Sequence, residues 1–189
     1  MSTHTRRATF TLALTLMVVF AGSQARAGTD RASRVPLSEF AQERIAVETR
    51  SVRRHLFDAW RAESAAAREQ GLMFVEDTEM RRDQAMIFVY EPPEYVSMWM
   101  KNTLLPLDML FVDRHGCIVT IKEHAKPGSL ATIDSRYPVS VVVELKAGVV
   151  AEAGMQVGDR VVRIDAGWPV DTTVKCTQGT EAKQPATRD

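Results

Sequence analysis

Residues Val139-Ser-Val-Val-Val-Glu-Leu145 carry the reading that decides the fold. Valines dominate this stretch. Their branched side chains are stiff at χ1 and favour an extended, pleated backbone packed against neighbours. The stretch therefore reads as a central strand. Upstream, Leu107–Val112 is a second apolar run. Asp113-Arg-His-Gly116 has the chemistry of a tight turn and joins that run to Cys117–Glu123 as a hairpin. Met86-Ile-Phe-Val-Tyr90 is a continuous apolar run bounded by Pro92-Pro93, the pattern of a buried strand. Tyr95–Met100, Ile45–Thr49 and Leu56–Glu63 read as further strands. Beyond the central strand, the Val157-Gly-Asp159 turn leads into Arg160–Ile164, and Pro169–Cys176 reads as a last edge strand.

Two short helices fit between these strands. Ser64 can cap Ala65–Gln70, with Gly71 at its left-handed C-terminal position; Val149–Ala153 ends at Gly154. There is no internal repeat and no βαβ alternation, so a doubly wound nucleotide-binding sheet is not expected. The expected class is α+β, mostly β: a single small β-barrel-like domain with two short helices. A barrel also removes the exposed edges that so many short strands would otherwise leave.

The chain has 189 residues, with 45% hydrophobic and 25% charged. That is globular composition and room for one ordinary domain. Lys plus Arg (24) equals Asp plus Glu (24), which argues against a general binder of nucleic acid or anionic membrane. The N-terminus has the order of a secretory leader: Arg6 and Arg7, an apolar run from Ala8 to Phe20, then Ala25-Arg26-Ala27. The apolar run is short of the roughly 20 residues that span a bilayer. Cleavage is expected between Ala27 and Gly28, with retention as an uncleaved anchor the alternative. The expected organisation is a signal peptide over 1–27, a linker or loose arm over 28–44, a domain over 45–176 and a disordered tail over 177–189. Leu37 and Phe40 are expected to pack the arm onto the domain. No later apolar run reaches spanning length, so the mature chain is expected to lack a membrane span and to reside in a bacterial periplasm. Cys117 and Cys176 are the only cysteines. In an oxidising compartment they can bridge, and otherwise they are two small buried thiols.

Ser97-Met-Trp-Met-Lys-Asn-Thr-Leu-Leu-Pro-Leu-Asp108 is the segment richest in chemistry. An apolar strand runs straight into an ammonium, an amide and a hydroxyl, and a proline turn then delivers a carboxylate. Lys101 and Asp108 are expected at the same end of the sheet, either as a pair that holds the turn or as part of a pocket. The candidate pocket is floored by Trp99 and Met86 and rimmed by Lys101, Asn102, Thr103 and Asp108. Trp99 is expected in the core, between two methionines. Glu144 is a further candidate: buried in a β-branched strand, it would need Lys101, Arg136 or a backbone donor as partner. The preferred reading is a binding or accessory module whose partner is a small ligand or an envelope protein. One alternative is an enzyme, hydrolase-like or otherwise, using Lys101 and Asp108 in proton transfer or electrostatic stabilisation. Another is a copper protein using thioethers such as Met98 and Met100, which alternation puts on one face. No cofactor fingerprint, activated nucleophile or zinc ligand set occurs, so no catalytic set, metal or cofactor is assigned.

Gly71-Leu-Met73, Met86-Ile-Phe88, Trp99-Met-Lys-Asn-Thr103, Pro106-Leu-Asp108, Phe111-Val-Asp113, Gly116, Pro127, Glu144-Leu145, Gly148 and Gly158-Asp159-Arg160-Val161 together resemble the DUF192 (UPF0127) family of uncharacterised, mostly exported proteins. The resemblance runs from about Leu56 to Ile164. It implies a small mixed domain with a β-barrel-like core and implies no activity. Ala85 stands where many members of that family carry glycine.

Overall fold

A computed structural model describes residues 34–165 and 174–176. Its strands are β1 (Ala41–Glu48), β2 (Arg54–Ala62), β3 (Gln84–Glu94), β4 (Ser97–Met98), β5 (Leu107–Val112), β6 (Ile118–Ala125), β7 (Ile133–Asp134), β8 (Val139–Lys146) and β9 (Arg160–Arg163). The helices are α1 (Ala65–Gln70) and α2 (Val149–Ala153), with 3₁₀ turns at Leu37–Glu39 and Asp77–Glu79. The expected leader, the tail and most of the expected Pro169–Cys176 strand lie outside the described residues.

Seven strands form one curled sheet in the order β6-β5-β8-β3-β2-β1-β9, and β4 pairs with β7 in a separate ribbon. The valine-rich β8 lies between β5 and β3, as its β-branched composition demands. The fold is mostly β, with a sheet curled into a half-barrel. Its two outer strands approach each other at one end. There Ile118 N–H donates to the Asp159 carbonyl (2.9 Å), Gly158 N–H to the Ile118 carbonyl (2.9 Å) and Val161 N–H to the Gly116 carbonyl (2.8 Å). Cys117 is bonded to Cys176 at this junction.

Every strand pair in the sheet is antiparallel except β2–β3. That parallel pair encloses α1, so one βαβ unit is present where the sequence suggested none. The helix is only six residues long, too brief for its period to announce a crossover. Ser64 Oγ accepts from Ala67 N–H at 3.1 Å, as the capping pattern predicts.

The sheet is apolar on both faces. On one side lie Trp60, Met86, Phe88, Met109, Phe111 and Val142. On the other lie Phe57, Ile87, Leu110, Val141, Val143 and Leu145, covered by Val149 and Val150 of α2. Adjacent residues along a strand point to opposite faces. This alternation decides where each polar residue of β5 and β8 goes. The domain also starts earlier than position 45, because β1 begins at Ala41. Phe40 is buried just ahead of it. Glu43 ties β1 to β2 and β9 through Arg61 (3.1 Å) and Arg163 (2.6 Å).

Candidate functional site

β8 and β5 run antiparallel with Glu144 opposite Met109 and Leu145 opposite Asp108. Two carboxylates in neighbouring register positions therefore face opposite sides of the sheet. Asp108 turns toward α2 and is fully buried. Its Oδ1 accepts from His124 N–H at 2.9 Å and its Oδ2 from Val150 N–H at 3.1 Å. It fixes the β6 end and the first turn of α2. Glu144 turns the other way, between Met86 on β3 and Met109 on β5, its opposite numbers in the two strand pairs. Its Oε2 is buried without a hydrogen-bond partner. Burial alone pushes its pKa up to about 8, so the carboxyl is protonated at neutral pH.

Glu144 borders a cleft of about 260 Å³. One wall is α1 and the residues after it, the second is β3, and the third is the β4 region with the turn that follows. Apolar surface comes from Leu72, Phe88 and Met98. Two cations sit on aromatic rings at the cleft: the Arg68 guanidinium lies 5.0 Å from the centre of the Tyr90 ring, and Lys101 Nζ lies 5.0 Å from that of Trp99. Arg68 also donates to the Val89 carbonyl at 3.0 Å and to the Glu63 carbonyl. Tyr90 O–H donates to Met98 Sδ at 3.8 Å. Burial, opposed by nearby Arg68, pushes the Tyr90 pKa up to about 12, so its proton is kept.

The walls are held together by backbone that few residues adopt. Phe74 and Asn102 both have positive φ, 60° and 57°, and Phe74 N–H donates to the Asn102 carbonyl at 2.8 Å. Asn tolerates this left-handed conformation better than most side chains. Met73 and Thr103 form a bridge beside it, and Asn102 Nδ2 donates to Met73 Sδ at 3.9 Å. Gly71 admits no side chain, since a Cβ there would stand 2.9 Å from Phe88 Cζ.

Of the expected pocket residues, Trp99, Lys101, Thr103 and Glu144 line this cleft. Asn102 positions its wall without lining it. Met86 is fully buried in the core, opposite Glu144, and is not part of the floor. Asp108 does not pair with Lys101, because alternation along β5 sends it to the other face and two amides occupy its oxygens. The alternative of Lys101 and Asp108 as a proton-transfer pair is thus not met by this geometry. Trp99 is not core either; it is 43% exposed. Ser97, Met98, Trp99 and Met100 alternate exposed, buried, exposed, buried, so the two methionines take the interior and the indole stays outside. Met80, Met86, Met98, Met100 and Met109 all pack in the same apolar cluster. Among the described residues no group of three or more His, Cys, Asp or Glu side chains is placed to hold a metal, and no helix is long and apolar enough to cross a membrane. Arg68 and Tyr90 join the site without a signal in the sequence. The helix and the strand that carry them are readable, but their meeting depends on the parallel β2–β3 crossover.

A second groove, about 520 Å³, lies between the start of β2 and α2. Its charges are already spent. Arg82 pairs with Glu152 at 2.6 Å, Arg54 with Glu48 at 3.6 Å and Asp83 with Arg81 at 2.8 Å.

Residues 46–163 match the DUF192 family, described as Uncharacterized ACR, COG1430. A solved structure from Sinorhizobium meliloti 1021, described as a "putative transcription regulator", is similar at 46% identity and TM-score 0.64, over 66% of this chain and 95% of that one. A protein of unknown function from Novosphingobium aromaticivorans DSM 12444 is similar at 32% identity and TM-score 0.63, over 68% of this chain and 89% of that one. No curated protein matches the chain. The matched segment spans the sheet from β1 to β9, and the chain belongs to the DUF192 family.

Proposed function

We propose that this chain is an exported periplasmic protein whose Glu144 cleft binds a small molecule. The observation that carries the reading is Glu144 itself. A buried carboxyl oxygen with no partner costs stability, on the order of 1–3 kcal/mol for a neutral group. Core positions in a valine-rich strand normally hold apolar residues, and the neighbours Met86 and Met109 show what packs there. A ligand that hydrogen-bonds to Oε2 would offset that cost. Ligand sites typically set a few polar groups in an apolar cleft in this way. Drug-sized ligands occupy about 300–1,000 Å³, so this cleft suits something smaller.

NMR titration with small polar organic solutes tests the cleft, the Trp99 indole N–H and the solutes' own signals serving as reporters. Bound solutes should move that signal and should weaken in Trp99→Ala. Binding that leaves the indole unmoved would refute the site. For export, the support is the leader-like order of residues 1–27. Intact mass of the exported protein should correspond to a chain starting at Gly28, and a mass that retains the leader would refute cleavage.

A further inference from the structure

We infer that the ligand of this cleft is a small organic acid, its carboxylate drawn in by Lys101 and Arg68 and one of its oxygens accepting a hydrogen bond from Glu144. The inference rests on the binding reading above and adds the charge and chemical class of the ligand.

Charge around Glu144 is unbalanced. From α1 come Arg68 and Glu69; from β3 comes Tyr90, on which Glu94 farther along the strand also acts from outside the lining; from the turn after β4 comes Lys101. β5 and β3 present only Met109 and Met86 directly opposite the carboxyl. Tyr90 keeps its proton. With Glu144 neutral, the cleft carries two cations against one acid, an excess that favours an anion. Among the described residues neither cation is paired with a carboxylate. Lys101 rests on the Trp99 ring, and Arg68 rests on Tyr90 and donates to main-chain carbonyls. Both keep donors for an incoming oxyanion, Arg68 through a planar fork suited to carboxylates.

Glu144 supplies the complementary half. Protonated, it is a donor as well as an acceptor. A carboxylate oxygen accepting from a carboxylic acid makes a short, charge-assisted hydrogen bond. A cationic ligand would demand the opposite state. It would require an ionised Glu144 and would pass two cations on entry. The apolar wall of Leu72, Phe88 and Met98 fits the alkyl part of a short-chain acid.

Three probes of nearly one shape decide the matter: butyrate, butyramide and butylammonium, each titrated at millimolar concentration into the full chain and followed at the Trp99 indole and Thr103 amide. Butyrate should bind most tightly. Its affinity should hold from about pH 6 to pH 8, where butyrate is ionised, and fall about tenfold per pH unit above pH 8, since binding then requires protonating Glu144. In Glu144→Gln the amide remains a donor at every pH, so butyrate binding should persist and lose that pH dependence. Lys101→Met lies on the exposed rim, where folding is not at stake, and should weaken butyrate several-fold and butyramide much less. Butylammonium binding that strengthens with rising pH would overturn the inference and leave the cleft as a binding site. Butyramide binding equal to butyrate would also overturn it. Failure of all three probes to move either signal would remove both the inference and the binding reading.

Discussion

Asp108 and Glu144 are two buried carboxylates on adjacent strands, in neighbouring register positions, with opposite fates. Asp108 accepts from two amides and closes α2 onto the sheet. Glu144 leaves an oxygen unpartnered and borders a cleft. The sequence context does not separate them. Each is a lone acid in an apolar run. What separates them is the pleat, which sends one toward the helix-covered face and the other toward the side where α1 and the β4 region leave an opening. A buried acid with its lone pairs filled by main chain is part of the scaffold. One without is the place to look for a ligand.

The largest expected effect follows from the satisfied acid. Asp108→Ala leaves the buried Val150 N–H and the part-buried His124 N–H without acceptors, each bond worth about 1.5–3 kcal/mol when the acceptor is charged. A loss of about 3–5 kcal/mol is expected in denaturant unfolding. A loss below about 1 kcal/mol would show that His124 and Val150 find other acceptors, and the contrast with Glu144 would collapse.

Much of the scaffold half of this contrast is readable in the sequence. β-branched Val139–Leu145 gives β8, Leu107–Val112 gives β5 to the residue, and Asp113–Gly116 gives the hairpin turn, where Asp113 Oδ1 accepts from His115 and Cys117 N–H. These signals are local: propensity, turn chemistry and caps. Pro92-Pro93 misled, because β3 continues to Glu94 through exposed positions and a cis Glu91–Pro92 bond. The cleft half is harder. Trp99, Lys101 and Thr103 are signalled by a polar cluster at a strand end. Yet the side each residue faces depends on β4 being only two residues long and on period-two alternation, which places Trp99 outside. Arg68 and Tyr90 belong to the site only through the parallel crossover, a long-range fact that no local pattern carries.

The unsatisfied acid should give an effect of opposite sign. Glu144 has an ordinary value near 4.5 in the unfolded chain and one near 8 when folded. Below pH 4.5 both states hold the proton and the carboxyl costs nothing through ionisation. As pH rises toward 8 the unfolded chain ionises while the folded chain does not, so stability falls across that window and levels off above it. Glu144→Gln removes the slope. It should match wild type at pH 4 and exceed it by about 2–3 kcal/mol at pH 7, allowing for the buried amide that remains. Parallel stability curves for the two proteins from pH 4 to 8 would mean that Glu144 finds a partner in solution.

The smallest effects belong to the rim, and they test whether the two faces are independent. Lys101 lies on an exposed ring, where a cation–π contact contributes about 0.5–1 kcal/mol. Lys101→Met should therefore cost less than about 1 kcal/mol. Trp99→Ala should cost about 1–2 kcal/mol, well short of the 3–5 kcal/mol typical of a buried aromatic, because 43% of its surface is already in water. The informative variant is the double one. If Lys101 and Asp108 were partners, Lys101→Met would relieve part of the damage done by Asp108→Ala, since neither charge would be stranded. With the two residues on opposite faces and no bond between them, the losses should add to within about 0.5 kcal/mol. Lys101→Met combined with Trp99→Ala should instead fall short of additivity by about 0.5–1 kcal/mol, because the same contact is removed twice. Thermal or denaturant unfolding of the three single and two double variants reads both cycles. Coupling between Lys101 and Asp108 as large as that between Lys101 and Trp99 would put the two acids on one face after all.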